Sequence, residues 1–179
     1  KEMKTPKATV INIISGQCKF NPKNYLLMSM LSQTMNMVYM ETIREKEGAS
    51  YGVSAFGQMN CYPKEEAIFQ IYFDTDPAKR EKMEQIVMAE IQKVAKEGPK
   101  PEHLAKVKEF MLKQYSEQIK ENGYWLNRLL DYYFNKVDMN TNYEKLVNEI
   151  TGKDVKKFTK ALLKQGNIIE VTMTAKEAK

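Results

Sequence analysis

The chain has 179 residues, 42% of them apolar and 28% charged, with a formal net charge of +5 at pH 7. That length supports one domain with a real core, and the composition excludes a disordered chain. No apolar run approaches the roughly 20 residues that span a bilayer, and the positive charge is spread along the chain instead of gathering in one arm. Starting at Lys1, with neither an initiator methionine nor a signal-like apolar segment, the sequence reads as a piece cut from something longer. Cys18 and Cys61 make no disulfide framework in a chain of this size. They read as two free buried thiols, with a pairing between their strands left open.

Residues 9–17, TVINIISGQ, are rich in isoleucine and alternate weakly, which predicts a mostly buried strand. FNPKNY then turns the chain, with Asn21 suited to cap a helix and Pro22 to open it. That helix runs to about Lys46. Leu27, Met30, Leu31, Thr34, Met37, Val38 and Met40 supply its apolar face, the methionines as adaptable packing. Gly48 can take the left-handed conformation that stops it. Two strands follow, SYGVSAFGQMN and EAIFQIYFDTD, separated by CYPKE, whose proline breaks pairing and supports a hairpin-like reversal. Both faces of the second strand are partly apolar, which suits a sheet with a helix on at least one side.

In DTDPAKREKMEQIVMAEIQKVAKEG, Asp76 caps a helix, Pro77 opens it and Gly98 ends it. PKPEHLAKVKEFMLKQYSEQIKENG gives a second helix with Leu104, Val107, Met111, Tyr115 and Ile119 on one side. GYWLNRLLDYYFN gives a third, after a break at Asn122-Gly123. Its aromatic residues Tyr124, Trp125, Tyr132 and Tyr133 read as core in preference to a peptide-binding wall. A short helix spans about Tyr143 to Ile150. In TGKDVKKFTKALLKQG, Lys153, Lys156, Lys157, Lys160 and Lys164 stand opposite Val155, Phe158, Leu162 and Leu163. That is the pattern of a solvated surface helix, and it outweighs a nucleic-acid or lipid face. GNIIEVTMTA closes the chain as a strand. Strands bracket a run of helices, so the fold class is α+β: a single sheet backed by a layer of helices, in β-α-β-β-α-α-α-β order, with residues 1–179 as one domain.

Chemistry is hard to find. The one histidine, His103, stands in the first turn of a helix and reads as an exposed or capping residue, since a hydrolytic zinc site needs two or three such ligands. Neither cysteine has a second cysteine at metal-binding spacing, and nothing favours a Cys-His nucleophile pair over buried thiols. EGASYG and AFGQ are not phosphate-cradling loops. The acidic pairs Glu65-Glu66 and Asp74-Asp76 flank strands at turns, where solvated or capping roles are expected. Taken alone, the chain is expected to be chemically inert.

One junction stands apart. TIREKEGASYGVSA places Arg44 at a helix end and Tyr51 at a strand start, on either side of Gly48. FDTDPAKREKMEQIVMAEIQKVAKEGPKPEHLAKVKE and IKENGYWLNRLLDYY follow in order. Together these stretches resemble the second-half domains of the M16 (pitrilysin/insulinase-like) zinc metallopeptidases. The likeness covers most of Val10 to Val171.

The resemblance implies a LuxS/MPP-like α+β domain from the C-terminal half of a clamshell. The zinc motif H-x-x-E-H would sit in the other half, in the same chain or in a partner subunit. It implies no cofactor in this fragment, zinc in the complete enzyme, a peptide substrate, no nucleic acid and no membrane span. By position, Arg44 and Tyr51 match an arginine and a tyrosine that close over the substrate. A guanidinium fork and a phenolic hydroxyl suit the carbonyl oxygens of an extended peptide. Read without the resemblance, an arginine in a last helical turn also complements the helix dipole, and a strand tyrosine also packs. The alternative function is a scaffold domain of a catalytically inactive M16-like assembly. Export to the periplasm of a bacterium is the address the resemblance implies, with the cytoplasm as the alternative.

Overall fold

The computed structural model describes residues 7–47 and 52–174, and for residues 44–47 the backbone alone. Strand β1 (Ala8–Gln17) leads into helix α1 (Pro22–Glu47), then strands β2 (Val53–Asn60) and β3 (Glu66–Thr75). Helices α2 (Arg80–Glu97), α3 (Pro101–Gln118), α4 (Asn122–Tyr133), α5 (Tyr143–Glu149) and α6 (Gly152–Lys164) follow, and strand β4 (Asn167–Thr174) ends the order. The strands form one sheet in the order β2-β3-β1-β4, with every neighbouring pair antiparallel. The α+β expectation holds, and the two helices after α4 are the short helix and the lysine-striped helix expected there.

Alternation sets the two faces of the sheet. The register puts Val10 opposite Phe73 and Ile14 opposite Phe69, and all four are fully buried. Against this inner face lies α1, through Leu27, Met28, Leu31 and Met35, with Met83, Val87 and Ile91 of α2 completing the core. Each such side chain contributes about 1.5–3 kcal/mol by leaving water. Between α1 and α2 the buried Tyr39 hydroxyl donates to the Val87 carbonyl at 3.1 Å, so its polar end is satisfied inside the core. Burial, the main cause, also pushes the Tyr39 hydroxyl pKa far above its ordinary value.

Helix ends follow the capping chemistry of the sequence. Asn21 Oδ1 accepts from the Asn24 N–H at 2.9 Å, and Asp76 accepts from the Ala78 N–H at 2.9 Å above a short 3-10 turn that precedes α2. Gly98 closes α2 with φ +92°, a conformation that disfavours any side chain. Thr151 and Asp154 form a reciprocal capping box on α6. Val155, Phe158 and Leu162 of that helix are buried, while Lys153, Lys157, Lys160 and Lys164 are exposed, as the stripe predicted.

Helix α1 crosses close behind β2. A Cβ at Gly57 would overlap the Met28 sulfur and the Ser32 hydroxyl, so a side chain there would force both to shift. The outer sheet face is open: Phe56, Tyr72, Ile169, Val171 and Met173 are exposed there, and every residue of edge strand β4 is exposed. Two expectations need correction. Cys18 and Cys61 are free but only half-buried. The aromatic residues of α4 are not core: Trp125, Tyr132 and Tyr133 are exposed and Tyr124 is half-buried, because α4 turns its polar side inward.

Candidate functional site

The α1–β2 junction is the place the sequence singles out. Arg44 belongs to the last turn of α1 by its backbone, and its side chain lies outside the described residues. Tyr51, with Gly48 and Ser50, also lies outside them. What the structure gives are the two elements that carry this pair, and how each is fixed.

On the strand side, Asn36 of α1 reaches β2. Its Nδ2 donates to the Ala55 carbonyl at 2.9 Å and its Oδ1 accepts from the Ala55 N–H at 2.7 Å. The amide takes both outward backbone groups of that residue, much as a neighbouring strand would, so the edge of β2 is closed at Ala55. On the helix side, Glu41 accepts from His103 Nε2 at 2.9 Å and from Lys100 Nζ at 3.1 Å. His103 is fully buried, contrary to the exposed or capping role expected of it. The carboxylate accepts only, so Nε2 carries the hydrogen of that bond. Nδ1 is buried with no partner among the described residues. The Lys100 ammonium, and after it the His103 ring, hold the Glu41 carboxyl below its ordinary value.

Sequence reasoning missed this clamp, although half of its signal was present. His103, Val107 and Met111 recur four residues apart, which places the ring on the same helical face as two buried apolar side chains. Its partner Glu41 sits on another element, and no local pattern announces it.

A second polar cluster joins α2 to β4. Arg80 Nη1 lies 3.3 Å from Glu84 Oε2 and 2.9 Å from Glu170 Oε1. Burial, and then the hydrogen bond shared with Glu170, push the Glu84 carboxyl up to about 7. Neither cluster is a metal centre. The one histidine is spent on Glu41, and among the described residues no group of three or more His, Cys, Asp or Glu side chains stands where an ion would be held. Among the described residues the donor set does not fit zinc.

The four-stranded antiparallel sheet backed by helices defines an α+β domain. Residues 20–111, just over half of the chain, match the Peptidase M16 inactive domain family, and the chain belongs to that family. No curated protein matches it.

Among solved structures, the periplasmic protease PqqL from Escherichia coli superposes with a TM-score of 0.80 at 16% identity, over 97% of this chain and 20% of that one. A peptidase M16 inactive domain from Pseudomonas fluorescens superposes with a TM-score of 0.75 at 18% identity, over 95% of this chain and 41% of that one. The inactive peptidase domain of a putative zinc protease from Bordetella parapertussis is matched along nearly its whole length: 100% of this chain and 95% of that one, with a TM-score of 0.75 at 16% identity. The chain thus spans about a fifth of the PqqL chain and two fifths of the Pseudomonas chain. At these identities the likeness is one of fold.

Proposed function

We propose that this domain supplies the metal-free jaw of an M16-type endopeptidase. Arg44 and Tyr51 hydrogen-bond the backbone of an extended peptide, while hydrolysis belongs to a zinc-bearing half in the same chain or in a partner subunit. The observation that carries the reading is the family match across residues 20–111, which contains the whole α1–β2 junction. Physical support comes from the two anchors. Asn36 ties α1 to β2 at Ala55 and Glu41 ties α1 to α3, so the two elements that flank the junction are braced. Donors presented from braced elements would suit the alignment of a substrate carbonyl. The open sheet face beside β2, with Phe56 and Tyr72, serves as an apolar wall for substrate side chains.

In the assembled enzyme, Arg44→Ala and Tyr51→Phe are each expected to lower kcat/KM about 10- to 100-fold, as loss of one positioned donor does, with bound zinc unchanged. Full activity in both variants would remove the assignment. The bacterial periplasm is the proposed address, since PqqL is a periplasmic protease, and a cytoplasmic address is the alternative. A scaffold role in an inactive assembly is the second reading, favoured by the exposed apolar face of α4. A full-length protein and partners that lack zinc ligands would decide for it.

A further inference from the structure

An amphipathic helix ordinarily buries its apolar stripe, and α4 does the reverse. Leu126, Leu129, Leu130 and Tyr133 recur at i, i+3, i+4 and i+7, and they are 62%, 52%, 55% and 67% exposed. Trp125 and Phe134 extend the strip at its two ends. The side turned to the body is polar instead. Arg128 Nη2 pairs with Asp131 Oδ2 at 3.1 Å, and the Tyr124 hydroxyl donates to Asn140 Oδ1 at 2.7 Å. Between this side and the body runs a cleft of about 370 Å³, lined by Ser29, Gln114, Gln118 and Arg128 among others. The Tyr124 hydroxyl bond to Asn140 and the edge-on contact of the Tyr124 ring with Tyr115, centroids 6.0 Å apart, tie α4 to the body.

The strip is large for an uncovered surface. Leucines and aromatic rings of this kind, each about half exposed, together present several hundred Å², at or beyond the few hundred Å² that monomers leave uncovered. One side of a contact between domains supplies roughly 300–750 Å², so the size fits such a contact. None of the six side chains is charged. An anionic membrane surface would call for lysine or arginine on the strip, and a neighbouring apolar groove would not.

We propose that α4 docks a neighbouring M16-type domain, whose apolar groove receives the leucine and aromatic strip. The inference rests on the reading of this chain as one jaw of a larger assembly. That occupant is preferred because two of these relatives carry chain well beyond the matched domain, which fills 41% of the Pseudomonas chain and 20% of PqqL, although it fills 95% of the Bordetella parapertussis chain.

Hydroxyl-radical footprinting with mass spectrometry tests it, on the 179-residue chain and on the full-length protein that contains it. Trp125 and Tyr133 should oxidise several-fold more slowly in the full-length protein. Leu129→Glu combined with Leu130→Glu should restore fast oxidation there and leave the thermal midpoint of the 179-residue chain unchanged. Equal rates in the two proteins overturn the proposal. So does protection of the short chain that fades on dilution, which would mean a second copy, or protection that appears only with phosphatidylglycerol vesicles. Zinc content and peptidase activity of the same samples separate this inference from the enzymatic reading. A protected α4 without zinc keeps the docking face and removes the enzyme; activity with a freely oxidised α4 does the opposite.

Discussion

Consider Glu41→Ala. The side chain of Glu41 is 46% exposed, and surface substitutions of that kind usually stay within about 0.5 kcal/mol of neutral. Here the carboxylate is the partner of His103 Nε2 at 2.9 Å, on a ring whose Nδ1 is already without one. Removing it leaves the buried Nε2 donor without its partner, which costs about 1–3 kcal/mol. Loss of the Lys100 ion pair adds about 0–1 kcal/mol, because that lysine is largely solvated. The expected total is about 2 kcal/mol. With a urea dependence of about 2 kcal/mol per molar, the midpoint of a far-UV circular dichroism melt at neutral pH should fall by about 1 M.

Lys100→Ala should move that midpoint by less than half as much. In a double-mutant cycle, Glu41→Ala with His103→Ala should cost less than the sum of the two single changes, since the second removes the donor that the first strands. The pH sign is set by the depressed carboxyl. Its contribution is present above the ordinary carboxylate value and fades as pH falls through the lower folded value, so the gap between variant and wild type should narrow in acid. A Glu41→Ala midpoint within about 0.2 M of wild type would mean that the imidazole finds another acceptor, and the clamp would not exist as described.

Glu84 gives the opposite pH sign. Its folded pKa is raised to about 7 by burial and by Glu170, so its stabilisation is complete below the unfolded value and lost as pH rises through 7. Urea resistance should therefore be greater near pH 5.5 than near pH 8, with Glu84→Gln reducing that difference; an undiminished difference in the variant would refute the assignment. Gly57→Ala should cost about 1–3 kcal/mol by overpacking against Met28 and Ser32, and an unchanged thermal midpoint would show that α1 yields without strain.

The strands and most helix ends were legible because they are written locally: the Asn21, Asp76 and Thr151 caps, the Gly98 stop, the period-2 and period-4 apolar positions. Periodicity failed at α4 for a physical reason. It reports that a helix has an apolar side, not what that side faces. Leu126, Leu129, Leu130 and Tyr133 keep helical period as well as any core helix, yet no described element of this fold covers them. The proposed site was half legible. Arg44 and Tyr51 stood out through a family likeness over an ordered series of stretches, whereas the contacts that brace their elements join Asn36 to Ala55 and Glu41 to His103, across distances in sequence that no motif spans.

Those braces share one helix. Asn36 and Glu41 lie five positions apart on α1, about 140° around its axis, so one faces the edge of β2 and the other faces α3. Helix α1 is gripped from two directions just before the turn that carries Arg44. The buried His103 imidazole thus serves as a hydrogen-bond strut between α3 and α1, which gives this histidine a structural use beside the junction.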